Sequence, residues 1–370
     1  MKRTGLNLDW RRLLLLLVLL LFTVWIFSRF ANLRDLGATL LRAQIPWLIA
    51  ATVLHLTYFV MNAQLHNLTF ALAGVRAGFK RVLPVLFAMF FANAVAPTGG
   101  TAGAALFIDN AIRWGESGAR TAAGVVLALV ADLSTLIPFI VYALIVLDLE
   151  SKLFFYDIIS SLFFVAFITL LTGALFLAHG KPDLMQRFLG WAQGLVNRIG
   201  AHFHRPDLLA PDWAAENARD LAHAGQAIAG HPRRLALSLA WAFAMHLANL
   251  AGLYLLFVAF EQPVHLGTLV AGFSMGIVFW VVSVVPAGLA AVEGIMTLVF
   301  TDLGIPPDKA AAIVLTFRAM NFLLPVGIGF FALRQTSTFQ EMGREPRAEI
   351  EAGDHGHQGA DSHKGGEAGS

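Results

Sequence analysis

Apolar residues run along this chain in long stretches, and polar residues gather in short gaps between them. Lys2, Arg3, Arg11 and Arg12 precede an apolar run from Leu13 to Phe27. It resembles a signal peptide, but Arg29 and Phe30 follow it where small cleavage-site residues would stand, so residues 1–30 read as an uncleaved anchor helix. Further spans are predicted over Ile45–Gly74, Thr121–Leu147, Ile158–Ala178, Leu235–Phe260 and Ala310–Leu333. Two apolar segments are interrupted. Val82–Ile108 breaks at Pro97-Thr98-Gly99-Gly100, and Val264–Phe300 breaks at Pro286-Ala287-Gly288. Residues 179–234 are polar, with short apolar stripes at Leu184–Ile199 and Trp213–Ile228 that predict amphipathic helices on the membrane surface. From Arg334 onward there is no apolar periodicity, which predicts a disordered tail over 334–370.

The first interrupted segment is too short for two full spans. Val82–Ala96 would make roughly 22 Å of helix at about 1.5 Å per residue, against a hydrocarbon core of about 30 Å. A re-entrant helical hairpin over 82–108 satisfies that length. The second, over 264–301, fits either a hairpin or two spans.

The two segments align without a gap at an offset of 189 residues. Pro97 matches Pro286, Gly99 matches Gly288, Gly115 matches Gly304 and Arg120 matches Lys309. Asp132 falls opposite Asn321, and His55-Leu56 pairs with His246-Leu247 at nearly the same offset. The domains predicted are a first membrane repeat over 45–150, a connecting span and surface loop over 151–234, and a second repeat over 235–333.

Composition sharpens this into a class. Of 370 residues, 57% are hydrophobic and 14% charged. A soluble domain carries about 25% charged residues. That composition excludes a soluble enzyme, a disordered chain and a nucleic-acid-binding domain, and the net charge of +2 implies no polyanionic partner. The expected fold is an all-α polytopic membrane protein. There is no cysteine, so disulfides and thiolate chemistry are excluded. None of the His residues forms a helical metal-ligand pattern, so neither a metal nor another cofactor is expected.

Lys and Arg then set orientation. The N-terminus, the 74–81 loop, seven residues of the 179–234 loop and the start of the tail all carry positive charge. With both termini cytoplasmic, the first hairpin enters from inside and the second from outside, making the halves inverted repeats. Arg29, Arg34 and Arg42 run against this rule. Broken helices at matching positions of inverted repeats point to a transporter's midplane site.

Three charges remain deep in apolar segments: Asp132, Glu293 and Arg318. Burying an arginine there costs about 2.5–3.5 kcal/mol on insertion scales, so Arg318 must meet a partner or a wet cavity. Glu293 and Asp132 are the candidate partners. Arg318 suits a phosphate clamp, because a guanidinium binds oxyanions bidentately. The competing explanation is an ion pair that locks helices. Glu293 lies seven residues after Pro286, where free N–H groups of a half-helix would favour an anion. The candidate translocation residues are Pro97, Gly99, Gly100, Asp132, Pro286, Gly288, Glu293 and Arg318. Asn93, His246 and Asn249 are secondary, since such groups more often tie helices together.

Val285-Pro-Ala-Gly-Leu-Ala-Ala-Val-Glu293, then Leu303-Gly-Ile-Pro-Pro, Arg318, Leu324-Pro325 and Gly329, resemble the lysylphosphatidylglycerol synthase transmembrane-region family. This is the flippase-like membrane domain of multiple-peptide-resistance-factor proteins. The resemblance covers roughly residues 10–335. In the first half, Gly99-Gly100-Thr-Ala-Gly103 and Gly115 match the pattern, whereas Ala105, Phe107 and Ile108 stand where a charged pair is expected. The resemblance implies lipid translocation. Only a polar tail follows Leu333, so a stand-alone member without the synthase domain is expected. A hopanoid-cluster branch is also similar and equally stand-alone. The expected function is a non-enzymatic flippase-like protein of the bacterial inner membrane. It would bind or move a (phospho)lipid or lipid-linked headgroup in a cavity between the paired hairpins. The alternatives are a hopanoid- or polyprenyl-lipid transport protein, a lipid-binding scaffold, or a lipid-modifying enzyme. The partner expected is membrane lipid, with a homo-oligomer or a lipid-biosynthesis partner left open.

Overall fold

A computed structural model of the chain describes residues 43–95, 101–180, 182–202, 210–283, 288 and 290–333. The N-terminal anchor, the polar tail, Pro97, Gly99, Gly100 and Pro286 lie outside these residues. Among the described residues all regular structure is helical.

Helix α1 covers Ile45–Leu72, α2 Phe79–Val95 and α3 Thr101–Arg113. Helix α4 covers Gly118–Ser134, α5 Ile137–Leu149 and α6 Phe155–Gly180. Two amphipathic helices follow, α7 (Pro182–His202) and α8 (Trp213–Ala229). The second half comprises α9 (Pro232–Ala259), α10 (Leu266–Val282), α11 (Ala291–Asp302) and α12 (Pro307–Arg318). A π-helical turn, Ala319–Leu323, joins α12 to α13 (Leu324–Leu333).

Among the described residues, five stretches are long and apolar enough to cross a bilayer: Ile45–Leu72, Gly118–Leu149, Phe155–Leu177, Pro232–Ala259 and Pro307–Leu333. The outward faces of these helices stay apolar, with Leu162, Leu170 and Phe176 strongly exposed on α6. Such surface suits lipid and not water. The protein is an all-α polytopic membrane protein.

Element lengths repeat between the halves. Helices α1 and α9 each have 28 residues, α2 and α10 each have 17, and α3 and α11 have 13 and 12. The helix ends repeat too. Gly115 (φ 82°) closes α3 with Glu116 N donating to Ala111 O at 2.9 Å and Gly115 N to Ile112 O at 2.9 Å. Gly304 (φ 91°) closes α11 in the same way, through Ile305 N to Phe300 O and Gly304 N to Thr301 O. This paired arrangement needs a left-handed residue, which glycine adopts without a Cβ clash. The matched cations both lie at the C-terminal end of the first helix of their repeat. Lys309 Nζ donates to the carbonyls of Phe260 (3.3 Å) and Glu261 (3.2 Å) at the end of α9. Arg120 lies beside Gly74 at the end of α1. Cations at helix C-termini complement the helix dipole.

Both last spans are interrupted near a proline. Thr135 and Leu136 separate α5 from α4, with Pro138 in the first turn of α5. The π-turn precedes Pro325 in α13. A proline has no N–H for the carbonyl four residues back, so the helix must widen or break there.

The chain packs as two compact units. The first comprises residues up to Tyr58, Thr135–Phe167 and Met245–Asn321; the second comprises Phe59–Ser134, Ile168–Ala244 and the residues from Phe322. The first broken segment lies wholly in the second unit, and the second broken segment wholly in the first.

Within the second unit, α2 packs against α3 and α13. Its core joins Phe70, Val82, Leu86 and Phe107, all fully buried. Gly329 of α13 sits against the Phe87 backbone, where any Cβ would strike the Phe87 carbonyl. Within the first unit, α10 packs against α5 and α11. Gly272 and Gly276 on α10 receive the side chains of Phe300 and Met296 from α11. Small residues let helices approach closely where lipid gives no hydrophobic driving force.

Candidate functional site

The second broken segment carries the charge. Gly288 (φ 62°) and Ala290 (φ 68°) turn the chain into α11. Gly288 is buried against Trp280 of α10, and a Cβ there would meet Trp280 Cδ1 at 3.1 Å. Glu293 follows in the first turn of α11. A carboxylate at that position is favoured by the N-terminal end of the helix dipole.

Arg318 ends α12, directly before the π-turn. Its Nε donates to Glu293 Oε1 at 2.7 Å. The Arg318 side chain is 12% exposed and that of Glu293 19% exposed, so the pair is largely removed from solvent. The other carboxylate oxygen, Glu293 Oε2, is buried with no hydrogen-bond partner. A carboxylate accepts several hydrogen bonds, so this pair uses only part of its capacity. Of the two partners considered for Arg318, Glu293 therefore holds it in an ion pair.

The same unit holds further buried polar atoms. His55 is fully buried, with Nδ1 at 2.7 Å from Ala51 O, and its ring meets Phe317 edge-on at 5.4 Å. The ring occupies the space where a side chain on Gly252 of α9 would lie, tying α1 to α9. Its repeat counterpart His246 is also buried, 6.4 Å from the Phe139 ring. Rings of Phe317, Phe273 and Phe139 link the two histidines in an unbroken aromatic series. Asn249 Oδ1 is buried with no hydrogen-bond partner. His246 and Asn249, both secondary candidates, thus share the core of the first unit with the ion pair.

The first broken segment is built without charge. Asn93 Oδ1, near the end of α2, accepts the Gly103 N–H at 2.7 Å. That N–H is one of the free donors of the first turn of α3, so Asn93 caps α3 from across the break. Gly103 makes room for this contact, since a Cβ there would strike Asn93 and Met89. Asp132 lies on α4 in the second unit, within electrostatic reach of His66 on α1. His66 is buried and stacked on Phe107, with ring centroids 5.2 Å apart and an 11° interplanar angle.

The structure thus gathers Gly288, Glu293, Arg318, His246 and Asn249 in one unit, and Asn93 and Asp132 in the other. The stack of His66 on Phe107 and the π-turn were absent from the sequence reading. Pro325, seven residues after Arg318, was the signal for the π-turn. Among the described residues no group of three or more His, Asp or Glu side chains is arranged to hold a metal ion.

Comparison with known proteins accords with this architecture. The family described as the lysylphosphatidylglycerol synthase TM region matches residues 12–329. A UPF0104 membrane protein of Methanothermobacter thermautotrophicus is 23% identical over 176 residues, covering 46% of this chain and 50% of that protein. A UPF0104 membrane protein of Methanocaldococcus jannaschii is 28% identical over 88 residues, covering 24% of this chain and 26% of that protein. The chain therefore spans half or less of the length of these curated relatives. With five apolar spans, two broken segments and a family match over most of its length, the chain belongs to the lysylphosphatidylglycerol synthase TM-region family.

Proposed function

We propose that this protein binds the anionic headgroup of a phospholipid or lipid-linked molecule and moves it between leaflets, with Arg318 as the phosphate clamp. The observation that carries this reading is the Arg318–Glu293 pair at the start of α11. A buried arginine is costly in a membrane and has to be held by an anion, and Glu293 Oε1 holds Arg318 Nε at 2.7 Å. A phosphate offers the same guanidinium a bidentate partner. Glu293 then acts as the internal counter-ion that holds Arg318 until the headgroup displaces it.

The proposed role is transport and not catalysis, a reading supported by Glu293 and Arg318 being spent on each other. The Lys and Arg distribution, with Arg29, Arg34 and Arg42 against it, supports cytoplasmic termini, and the membrane proposed is a bacterial inner membrane. Membrane lipid is the partner this reading requires.

The test is lipid redistribution in liposomes holding the purified protein, with labelled lipids of several headgroups. Arg318→Ala is expected to lower translocation of an anionic lipid by at least about tenfold, a loss of about 1.4 kcal/mol in the transition state. Arg318→Lys should retain part of it, since lysine keeps the charge and loses the fork. Unchanged redistribution by folded Arg318→Ala protein would sink the clamp.

A further inference from the structure

The two helices between the repeats show an interaction surface distinct from the Arg318 site. Helix α7 exposes Leu184, Phe188, Trp191 and Leu195, at 46%, 58%, 65% and 42% of their full accessibility. Their spacing places them within about 60° of one another around the helix. Arg187 and Arg198 are exposed along one edge of this stripe. The opposite edge is already used. Met185 is buried there, and α7 packs on α8. Gln193 Nε2 of α7 donates to Ala210 O at 2.6 Å, and the Ala214 N–H of α8 donates back to Gln193 Oε1 at 3.3 Å.

Helix α8 in turn is anchored on the ends of membrane spans. Asp220 pairs with Arg120 (3.5 Å) and accepts a hydrogen bond from Ser117, both at the start of α4. Ala224 is buried with Ala73, just past the end of α1, with Ala123 of α4 and with Leu175 near the end of α6. Span ends lie at the bilayer surface, so α8 holds α7 at that level. There a lengthwise apolar stripe with a tryptophan and flanking arginines matches an interfacial helix.

We propose that α7 is an anionic-lipid docking helix. Leu184, Phe188, Trp191 and Leu195 insert into the acyl boundary of one leaflet, while Arg187 and Arg198 bind headgroup phosphates. Each arginine near an anionic surface is worth about fivefold in partitioning. The occupant is one leaflet rich in anionic phospholipid, and this holds whether or not Arg318 clamps a translocated lipid.

The absence of cysteine allows a nitroxide to be placed at one introduced site. Phe188→Cys and Trp191→Cys probe the stripe. Gly190→Cys probes a position with open space around its Cβ and serves as the water-facing control. The labelled full chain is reconstituted in phosphatidylcholine vesicles with or without phosphatidylglycerol. Collisions with oxygen, which concentrates in lipid, and with a water-soluble nickel chelate are compared. The proposal expects the oxygen-to-nickel ratio at 188 and 191 to exceed that at 190 severalfold. It expects a further rise with phosphatidylglycerol, lost on Arg187→Gln/Arg198→Gln. Equal nickel access at all three sites overturns it. Insertion with no response to phosphatidylglycerol overturns its anionic specificity. Spin–spin broadening that disappears on dilution with unlabelled protein overturns it in favour of a second copy covering the stripe.

Discussion

The two broken segments share an offset, element lengths and the same C-terminal glycine closure, yet they are held shut by different physics. The first is neutral. Asn93 caps the first turn of α3, Gly103 admits the contact, and His66 stacks on Phe107 where the resemblance implies a charged pair. The second is charged, with Glu293 at the start of α11 held by Arg318 from the edge of a π-turn. The difference teaches how a duplicated scaffold divides labour. At the break itself the first copy relies on an amide cap, and the second on an ion pair. An amide cap is satisfied by the backbone alone, whereas a buried guanidinium requires an anionic partner.

The largest effect that would break this contrast lies at the ion pair. Glu293→Ala leaves Arg318 without its carboxylate, and removing one partner of a buried pair costs about 3–5 kcal/mol. SDS-induced unfolding should show that loss, and the exchange Glu293→Arg with Arg318→Glu should recover part of the stability without recovering anionic-lipid movement. Recovery of both would reduce the pair to a helix lock. Next in size are the close approaches. Gly272→Ala drives a methyl into Phe300, and Gly103→Ala drives one into Met89 and Asn93. Each should cost about 1–3 kcal/mol, read as a lowered melting midpoint in detergent. Asn93→Ala should cost about 1 kcal/mol, the usual value of a cap, with lipid movement preserved. Loss of movement there would return the first hairpin to the site. The smallest effects belong to the matched cations. Lys309→Gln and Arg120→Gln should each cost about 0.3–1 kcal/mol, Arg120→Gln also freeing Asp220 and so loosening α8 to proteolysis.

Much of this was legible in the residues. Uninterrupted apolar stretches predicted the spans because a bilayer demands about 20 apolar residues per crossing. The amphipathic stripes at 184–199 and 213–228 became α7 and α8, since a 3.6-residue period is readable without tertiary context. The repeat was legible at Gly115 and Gly304 because a left-handed helix end tolerates few residues. Arg318 and Glu293 stood out because charge in an apolar run is rare. What stayed hidden was spatial choice. Arg318 had two carboxylates to choose from, and His66 was one polar residue among several on α1. Phe107 read as a gap in a pattern and proved to be a stacking partner.

The sequence by itself determined that this chain lives in a membrane, roughly where its apolar spans fall, and that its halves repeat. Those properties follow from local hydropathy, proline and glycine, which act over a few residues. Only the tertiary structure decided that Glu293 holds Arg318, that Asn93 caps the facing half-helix, and that Asp220 fixes the surface helices to the span ends. Such pairings join residues from 10 to 103 positions apart. They depend on how helices pack, because a hydrogen bond or an ion pair forms only within about 3 Å and no local signal sets that distance.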